Sequence, residues 1–275
     1  MKPPSNNHLQ PYAQDFHPQR FTFQYLRPDW PLPPGVKSVV TTRQGQPTGA
    51  QGKLLNFLDN SAGCLKQVRR NRRDLAAQLA LTQPLPWLVQ EHGIGVVDAK
   101  THIQQQTPVS ADACVSREPG LACVIQTADC LPVLLSNDEG SVVATAHAGW
   151  RGLVAGVLAA TVAAMAGEVS AISAYLGPAI SQQHFEVGGE VRAAFLATAP
   201  STDQLSSAAC FIPSTGRPGH YYADLYQLAR IQLRRLGVAR IYGGDCCTYA
   251  DTERFYSYRR EGQTGRMASL IWIER

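Results

Sequence analysis

The chain has 275 residues and a formal net charge of only +4 at neutral pH. A charge this small argues against a nucleic-acid-binding protein, which usually carries a strongly basic face, but it is compatible with a small anionic substrate. No run approaches the ~18 consecutive apolar residues that a membrane-spanning helix needs. We therefore expect a soluble protein with neither nucleic acid nor a membrane as partner.

The first residues and the cysteines bear on organisation and location. Residues 1–20 are polar, rich in Pro, Asn and Gln, and lack the apolar core of a signal peptide. We predict a flexible tail over residues 1–20 and a single catalytic domain over residues 21–275. Seven cysteines without an export signal favour reduced thiols over a disulfide framework, so the expected location is the cytoplasm.

The first predicted elements are a strand and a basic helix. Residues 37–42 predict the strand, and the Gly, Gln, Thr and Pro residues of 44–52 predict a loop. Residues 64–81 predict an amphipathic helix, because apolar side chains recur at helical spacing at Leu65, Val68, Leu75 and Leu79. Its basic stretch, residues 66–73, has no interleaved aromatic side chains for base stacking, so we interpret it as a solvated face.

Further strands and helices alternate along the rest of the chain. Residues 153–166 are apolar or small on every side, which is typical of a helix buried between layers. A helix with a leucine stripe should end at Gly237, a favoured C-terminal cap. The mixed order of elements favours an α+β, mixed-sheet domain over a regular βαβ array. The remaining predictions are strands at 95–98, 121–126, 132–136, 142–147, 170–177, 240–244 and 268–273, and a helix at 186–198.

Three short segments each place a potential metal ligand at the edge of a predicted strand. His92 precedes a strand in QEHGIGVV, Cys130 lies between two strands in TADCLPVLL, and His147 ends a strand in HAGWRG. A His, Cys, His set suits tetrahedral zinc, and three protein ligands leave the fourth position open, as in catalytic zinc sites. Their spacings match no zinc-finger signature, so donor chemistry alone leaves ordinary packing roles open.

The HAGWRG segment carries a second candidate feature. Its glycines precede a predicted helix, and a helix N-terminus beside Arg151 suits a phosphate or carboxylate group. A tight turn with Trp150 as a packing residue explains the same sequence equally well. Both interpretations stay open at this point.

Several further motifs run from about Val36 to the C-terminus. They are TTRQG at 41–45, Asn56, Asn71-Arg72, DACVSREPGLACVIQTADCLPVLL leading into HAGWRG, YLGPAI, FEVGGEV and the closing CTYADTERFYSYRREGQTGR. Together these motifs resemble a known family of bacterial proteins, historically described as multicopper polyphenol oxidases or laccase-like proteins. The resemblance implies a zinc-dependent purine nucleoside phosphorylase that also deaminates adenosine, with a mixed-sheet α/β sandwich related to some cysteine hydrolases.

The resemblance also implies ligands and substrates. The family's metal ligands fall on His92, Cys130 and His147, with zinc as the implied metal and copper as the alternative. Implied substrates are adenosine, inosine, guanosine and methylthioadenosine with phosphate, and adenosine would also be hydrolysed to inosine. Two departures from the family pattern, RQGQ at 43–46 and Glu91 before the first ligand, remove no ligand.

Chemistry suggests roles for further residues. If Cys130 binds the metal as thiolate, its electron pair is committed and a covalent cysteine mechanism is disfavoured. Asp129, next to this ligand, is the candidate proton shuttle in deamination, and orienting a neighbouring group is its alternative role. Phosphorolysis needs cations that place the phosphate. The candidate substrate-binding residues are Arg43, Asn56, Arg151 and Arg266.

Three other functions stay open. A copper-dependent phenol oxidase is suggested by the family's older name, although the chain has seven histidines and no H-x-H pair. A metal-free hydrolase would use Cys130 as a nucleophile activated by His92 or His147. A non-catalytic zinc or partner-binding module would act through the basic helix. The sequence predicts no oligomeric state.

Overall fold

The structure is a computed structural model that describes residues 22–46, 57, 65–105 and 107–274. The predicted tail, Asn56 and residues 47–52 of the predicted loop lie outside these ranges. No helix within them is long and apolar enough to cross a membrane. The strands, in chain order, are β1 (Thr22–Leu26), β2 (Val36–Gln46), β3 (Val96–Asp98), β4 (Ala113–Ser116), β5 (Cys123–Thr127), β6 (Leu131–Asn137), β7 (Val143–Ala148), β8 (Ile172–Leu176), β9 (Glu186–Gly188), β10 (Phe211–Pro213), β11 (His220–Ala223), β12 (Arg240–Gly243) and β13 (Met267–Ile273).

Helices separate many of these strands in the sequence, and they cover the outer faces of the two largest sheets. Two short 3-10 helices, Val169–Ala171 and Gln182–His184, flank β8. The α-helices are α1 (Leu65–Gln78), α2 (Ala99–Gln104), α3 (Trp150–Ala155), α4 (Val157–Met165), α5 (Gly189–Thr198), α6 (Gln204–Ala209), α7 (Leu225–Arg235) and α8 (Tyr258–Glu261).

Two large sheets form a sandwich. The first has six strands in the order β12-β8-β6-β7-β4-β3, with parallel pairs only at its two ends. The second has four antiparallel strands in the order β1-β2-β13-β5. A small antiparallel sheet, β10-β11-β9, stands apart from both. The expected mixed-sheet α+β architecture is confirmed.

Alternate residues of the central strands face different layers of the core. Along β6, Val133 and Leu135 belong to the cluster under α4 and α7, whereas Leu134 belongs to the cluster between the sheets. Along β13, Leu270 packs towards α1 while Ile271 faces the other sheet. Because both faces of both sheets are covered, these strands are buried along almost their whole length and are mostly apolar rather than alternately polar.

The predicted helix over residues 153–166 is wrong in its extent and position. The chain forms two helices, α3 and α4, which meet at Gly156 with a φ of 98° that favours glycine. Helix α4 packs on the outer face of the six-stranded sheet, so it has one exposed face, where Ala163 lies. Small alanines on that face removed the polar stripe by which an outer helix is usually identified.

The predicted helix over residues 186–198 is wrong at its start. Residues 186–188 form strand β9, which pairs with β11 through Val187 and Tyr221. The helix begins at Gly189. Strand β9 is short, so its tertiary pairing rather than its own pattern fixes its conformation.

Candidate metal centre and cavity

The ends of neighbouring strands bring the three predicted ligands together. Cys130 directly precedes β6 and His147 lies in β7, where Pro132 and His147 are paired across the two strands. His92 lies shortly before β3. The candidate ligand atoms of His92, Cys130 and His147 all lie within 4.8 Å of one another. In the described ranges this is the one group of three or more His, Cys, Asp or Glu side chains close enough to hold a metal ion.

The three side chains differ in exposure. Cys130 Sγ lies 3.7 Å from His92 Nε2, and the two histidine rings meet edge to face with their centroids 4.8 Å apart. His147 is buried, Cys130 is half-buried and His92 is exposed. The group is therefore anchored in the protein on one side and open to a ligand on the other.

Gly149 provides space beside two of the ligands. A Cβ at this position would lie 3.0 Å from Cys130 Sγ and 3.0 Å from His92 Cδ2. Any larger side chain would push against the donor group, so the first glycine of HAGWRG is required by close packing. Gly149 also caps α3, which has only six residues and no side-chain cap.

Asp112 holds both histidines, and sequence reasoning had given it no role. It directly precedes β4, whose Ala113 pairs with Ala146, so the register of the strands places it beside His147. Its Oδ1 lies 2.7 Å from His147 Nδ1. The backbone N–H groups of Glu91, His92 and Gly93 donate to the same carboxylate at 3.2, 2.9 and 2.7 Å.

These bonds fix the ring of His147 and the backbone at His92. With Nδ1 of His147 bonded to Asp112, Nε2 is the nitrogen left for a metal, as in carboxylate–histidine–zinc arrangements. His92 has a φ of 62°, a left-handed conformation that is uncommon without glycine. Hydrogen bonds from the 91–93 backbone to Asp112 stabilise this turn.

The electrostatics favour a charged pair in the metal-free protein. Burial alone would raise the pKa of Cys130, but the charge and hydrogen bonds of His147 and His92 lower that pKa to about 6. Burial alone would lower the pKa of His147, but the Cys130 charge and the Asp112 hydrogen bond raise it to about 9. A thiolate is the form that binds metals and attacks carbonyls, so this pair suits a metal site and a Cys-His hydrolase.

Asp129 lies next to the cysteine but its carboxylate is already bonded. It is buried, with a φ of 88°. Its Oδ1 accepts a hydrogen bond from Thr248 Oγ1 at 2.6 Å. Its Oδ2 accepts from Ser257 Oγ at 3.0 Å and from the backbone N–H of Arg259 at 2.7 Å. These contacts favour its orienting role over the proton-shuttle role.

A cavity of about 720 Å³ opens over the donor group. Four arginine side chains line it, each lying over an aromatic ring. Arg151 is exposed, with its guanidinium carbon 4.4 Å from the centroid of the Trp150 ring. The four are Arg72, Arg151, Arg259 and Arg266, and the cavity is also lined by His92, Cys130, His147 and Asp129.

Of the predicted substrate-binding residues, the structure brings Arg151 and Arg266 to the cavity. Arg43 is not among its lining residues. The Arg43 guanidinium lies 2.6 Å from Glu261 Oε1 and also donates to the carbonyl of Phe255. This side chain thus has structural partners, and its role in substrate binding stays a prediction.

Sequence comparison assigns the chain to a family. The family model described as multi-copper polyphenol oxidoreductase laccase matches residues 37–274. The chain belongs to this family. A purine nucleoside phosphorylase of Pseudomonas aeruginosa is 46% identical over 250 residues, which cover 91% of this chain and 98% of the relative. Purine nucleoside phosphorylase YfiH of Escherichia coli is 46% identical over 246 residues, covering 90% and 97%.

Solved structures share the fold of this laccase-like family. A Neisseria meningitidis protein superposes with a TM-score of 0.82 at 44% identity, covering 91% of this chain and 99% of its own. YlmD from Geobacillus stearothermophilus superposes with a TM-score of 0.80 at 28% identity, covering 98% and 100%. The family description names an oxidoreductase, whereas the curated relatives are named as phosphorylases.

Sequence reasoning missed three residues of this laccase-like chain. Arg72 and Arg259 lie in motifs that carried the resemblance, Asn71-Arg72 and YSYRRE, and their signal was an arginine within such a motif. Asp112 lies in DACVS, where the only local signal was an acidic residue directly before an apolar strand. None of the three has a sequence neighbour that reveals its partner.

Proposed function

We propose that this protein is a purine nucleoside phosphorylase that uses zinc held by His92, Cys130 and His147, and that it also deaminates adenosine. One observation carries the proposal: the three donors meet in a cavity of about 720 Å³ whose wall is rich in arginine. This volume lies within the usual range for small-molecule sites. The names of relatives at 46% identity support the same substrate class.

The residues present fit a metal ion. The thiolate and two imidazoles are good zinc donors, and three protein ligands leave a position for substrate. The Nδ1 of His147 is occupied by Asp112, and Gly149 leaves the space in front of the donors clear. When bound, zinc would act as a Lewis acid towards the purine nucleoside or a water molecule. The same donors accept copper, which is why metal content belongs in the test.

Phosphorolysis requires the protein to hold two substrates in line. A phosphate oxygen attacks C1′ of the ribose, the glycosidic C–N bond breaks, and the purine nitrogen that receives the electron pair takes up a proton. Cavity arginines bind and orient the phosphate, since guanidinium groups match phosphate oxygens in pairs. Aromatic side chains in the lining, including Trp150 and Phe185, help to exclude water from the reacting atoms.

Deamination requires water instead of phosphate at the same donor group. Water adds at C6 of adenine and ammonia leaves, so adenosine becomes inosine. In this proposal Asp129 orients its neighbours, because both its oxygens accept hydrogen bonds. The proposed substrates are adenosine, inosine, guanosine and methylthioadenosine.

The thiols support the cytoplasm as the proposed location. The six described cysteines are all free, and Cys130 must remain reduced to serve as a ligand. A reducing compartment maintains that state.

The test is chromatography of adenosine incubated with zinc-loaded protein, with and without phosphate. We expect adenine only with phosphate, inosine in both cases, and neither product from Cys130→Ala or His147→Ala. Matched controls are Cys247→Ala and His220→Ala, which lie outside the cavity lining. Intact adenosine under every condition, from protein whose zinc content is confirmed, would contradict the proposal.

The same preparations separate the alternatives. Oxygen uptake with a phenol and bound copper would favour the oxidase. Activity that resists chelators and is lost on alkylation of Cys130 would favour the metal-free hydrolase.

A further inference from the structure

The described part of the cavity wall carries several arginine side chains and one carboxylate. Arg151, Arg259 and Arg266 line it, and within the described ranges none of them forms an ion pair with a carboxylate. Asp129 is the one carboxylate among the described lining residues, and its oxygens are occupied. Arg266 is half-buried, and a shielded cation is costly without a counter-charge, so an anionic ligand is expected here.

Arg266 is half-buried, and only part of its guanidinium group is hydrogen-bonded. Its Nη1 donates to the carbonyls of Thr264 at 2.9 Å and Gly265 at 3.1 Å, while Nε and Nη2 have no hydrogen-bond partner among the described residues. The guanidinium carbon lies 5.8 Å from the centroid of the Tyr258 ring. Burial lowers the pKa of Arg266, the response of a cation removed from water, although the nearby Cys130 and Asp129 charges oppose this effect.

Arg259 is exposed, but a backbone carbonyl and an aromatic ring hold it as they hold Arg266. Its Nη1 donates to the carbonyl of Glu186 at 2.8 Å, and Nε and Nη2 have no partner within the described residues. Its guanidinium carbon lies 5.4 Å from the centroid of the Phe185 ring. Both arginines thus have one edge held by backbone carbonyls and N–H donors left for a ligand.

Asp129 ties this arginine pair to the metal ligand. It accepts a hydrogen bond from the backbone N–H of Arg259 and is the sequence neighbour of Cys130. Its bonds to Thr248 and Ser257 hold the chain that leads up to Arg259. Arg151 differs, because no backbone carbonyl of the described residues holds its guanidinium, which lies over the Trp150 ring at the start of a six-residue helix.

We propose that Arg259 and Arg266 form the subsite for the phosphate cosubstrate, with Asp129 as the residue that positions Arg259. This inference rests on the proposed function and adds the residues that bind phosphate. Two guanidinium groups with free donors suit the paired oxygens of inorganic phosphate. After C1′ is attacked and the purine leaves with its proton, the same groups hold the phosphate of ribose 1-phosphate.

The test compares Arg259→Gln, Arg266→Gln and the corresponding lysine variants of zinc-loaded protein. We expect each glutamine variant to raise the KM for phosphate about tenfold or more, because a charge-assisted hydrogen bond is lost. Lysine keeps the charge but not the paired donors, so the increase should be smaller. The KM for adenosine should change less than about twofold on this account, since these groups contact phosphate.

Two further variants complete the comparison. Asp129→Asn should raise the KM for phosphate more than the KM for adenosine, which a general loss of folding would not do. Arg240→Gln is the matched control, because Arg240 pairs with Asp138 at the surface and is not among the cavity-lining residues. Thermal unfolding of every variant, compared with the phosphate KM of the two lysine variants, separates a loss of phosphate binding from misfolding.

Calorimetric titration of inorganic phosphate into the zinc-loaded protein separates this inference from the proposed function. Phosphate binding that is lost in the glutamine variants supports the subsite even if no nucleoside is cleaved, an outcome that would sink the proposed function alone. Phosphate-dependent adenine formation with an unchanged phosphate KM in both glutamine variants overturns the subsite alone. A wild-type protein that neither binds nor uses phosphate overturns both.

Discussion

Two groups of side chains line one cavity and are supported in different ways. The candidate metal-ligand group, His92, Cys130 and His147, stands at or beside strand ends and is backed by the buried carboxylate of Asp112. The arginine pair, Arg259 and Arg266, is held by backbone carbonyls and aromatic rings near α8 and β13.

Both kinds of support orient side chains, but they differ in whether they add a charge of their own. Asp112 is charged and buried, so it both aligns the ligands and stabilises an imidazolium or a bound cation next to them. Backbone carbonyls align the arginines without cancelling their charge, so that charge remains available to an anion. One side of the cavity is thus preorganised for a cation and the other for an anion. The following experiments act on the cation side and, last, on an arginine outside the cavity lining.

Removing the shared carboxylate should have the largest effect. Asp112→Ala leaves three backbone N–H groups and His147 Nδ1 without their acceptor, so we expect a loss of about 3–5 kcal/mol in the free energy of unfolding, as for a broken buried pair. Apparent zinc affinity should fall about 10- to 100-fold. Urea unfolding and competition with a chromogenic chelator measure the two quantities.

The matched control for that experiment is Asp138→Asn, which removes a half-exposed carboxylate paired with Arg240. It should leave zinc affinity unchanged. Wild-type zinc affinity in Asp112→Ala would show that the ligands are held by the strands alone.

The thiol of Cys130 should titrate far below an ordinary cysteine in metal-free protein. Its pKa of about 6 means that the thiolate, which reacts with iodoacetamide, is present above pH 6 and is lost as the pH falls below it. Burial raises the pKa of Cys210 and Cys246 to about 12, so they should stay unreactive. The alkylation is run across pH 4–10, a range that spans the ordinary thiol pKa of ~8.5. Peptide mass spectrometry then locates each modified cysteine.

Zinc loading provides the control for the alkylation experiment. Bound metal should protect Cys130 at every pH at which it stays bound. An alkylation midpoint near 9 in the metal-free protein would contradict the ion pair between Cys130 and His147.

Filling the space at Gly149 should disturb the ligands without removing one. The added Cβ of Gly149→Ala meets Cys130 and His92 at 3.0 Å, which forces a shift of a few tenths of an ångström in the donors. We expect about a tenfold loss in kcat/KM, since small misplacements near reacting groups are costly. Gly216→Ala is the control, because nothing lies within 4 Å of its Cβ. Equal activity of the two variants would show that the donor group tolerates displacement.

The smallest effect is expected at Arg43, an arginine that the sequence analysis assigned to substrate binding and that does not line the cavity. A double-mutant cycle of Arg43→Met with Glu261→Gln should give a coupling of about 1 kcal/mol in the free energy of unfolding, because the pair is only partly buried. The KM values for adenosine and phosphate should stay within about twofold. An increase well beyond that would place Arg43 in substrate binding, as the sequence predicted.

The meeting of His92, Cys130 and His147 could be predicted from the sequence because its signals are local. Cys130 and His147 each follow or precede an apolar run long enough to identify a strand, and the ends of neighbouring strands meet. The chemistry of thiolate and imidazole then narrows the site to metal binding or cysteine catalysis. The family resemblance then favours metal binding over cysteine catalysis.

The supporting residues could not be predicted, because their partners are remote in sequence. Asp112 reaches His147 only through the register of β4 on β7, and Arg43 meets Glu261 at a separation of 218 positions. The break at Gly156 was hidden by alanines that fit a buried or an outer helix. Tertiary pairing, which a local pattern does not contain, decided each case.

The position of β13 in its sheet has a consequence for how the protein is made. This strand lies between β2 and β5, and its Ala268 N–H donates to Thr41 Oγ1 across 227 positions of sequence. Closing such a long loop is entropically costly and makes folding slow. During synthesis on a ribosome the four-stranded sheet stays open until β13 emerges. Because β5 leads directly to Asp129 and Cys130, the proposed metal ion is expected to be acquired after β13 has been translated rather than by the growing chain.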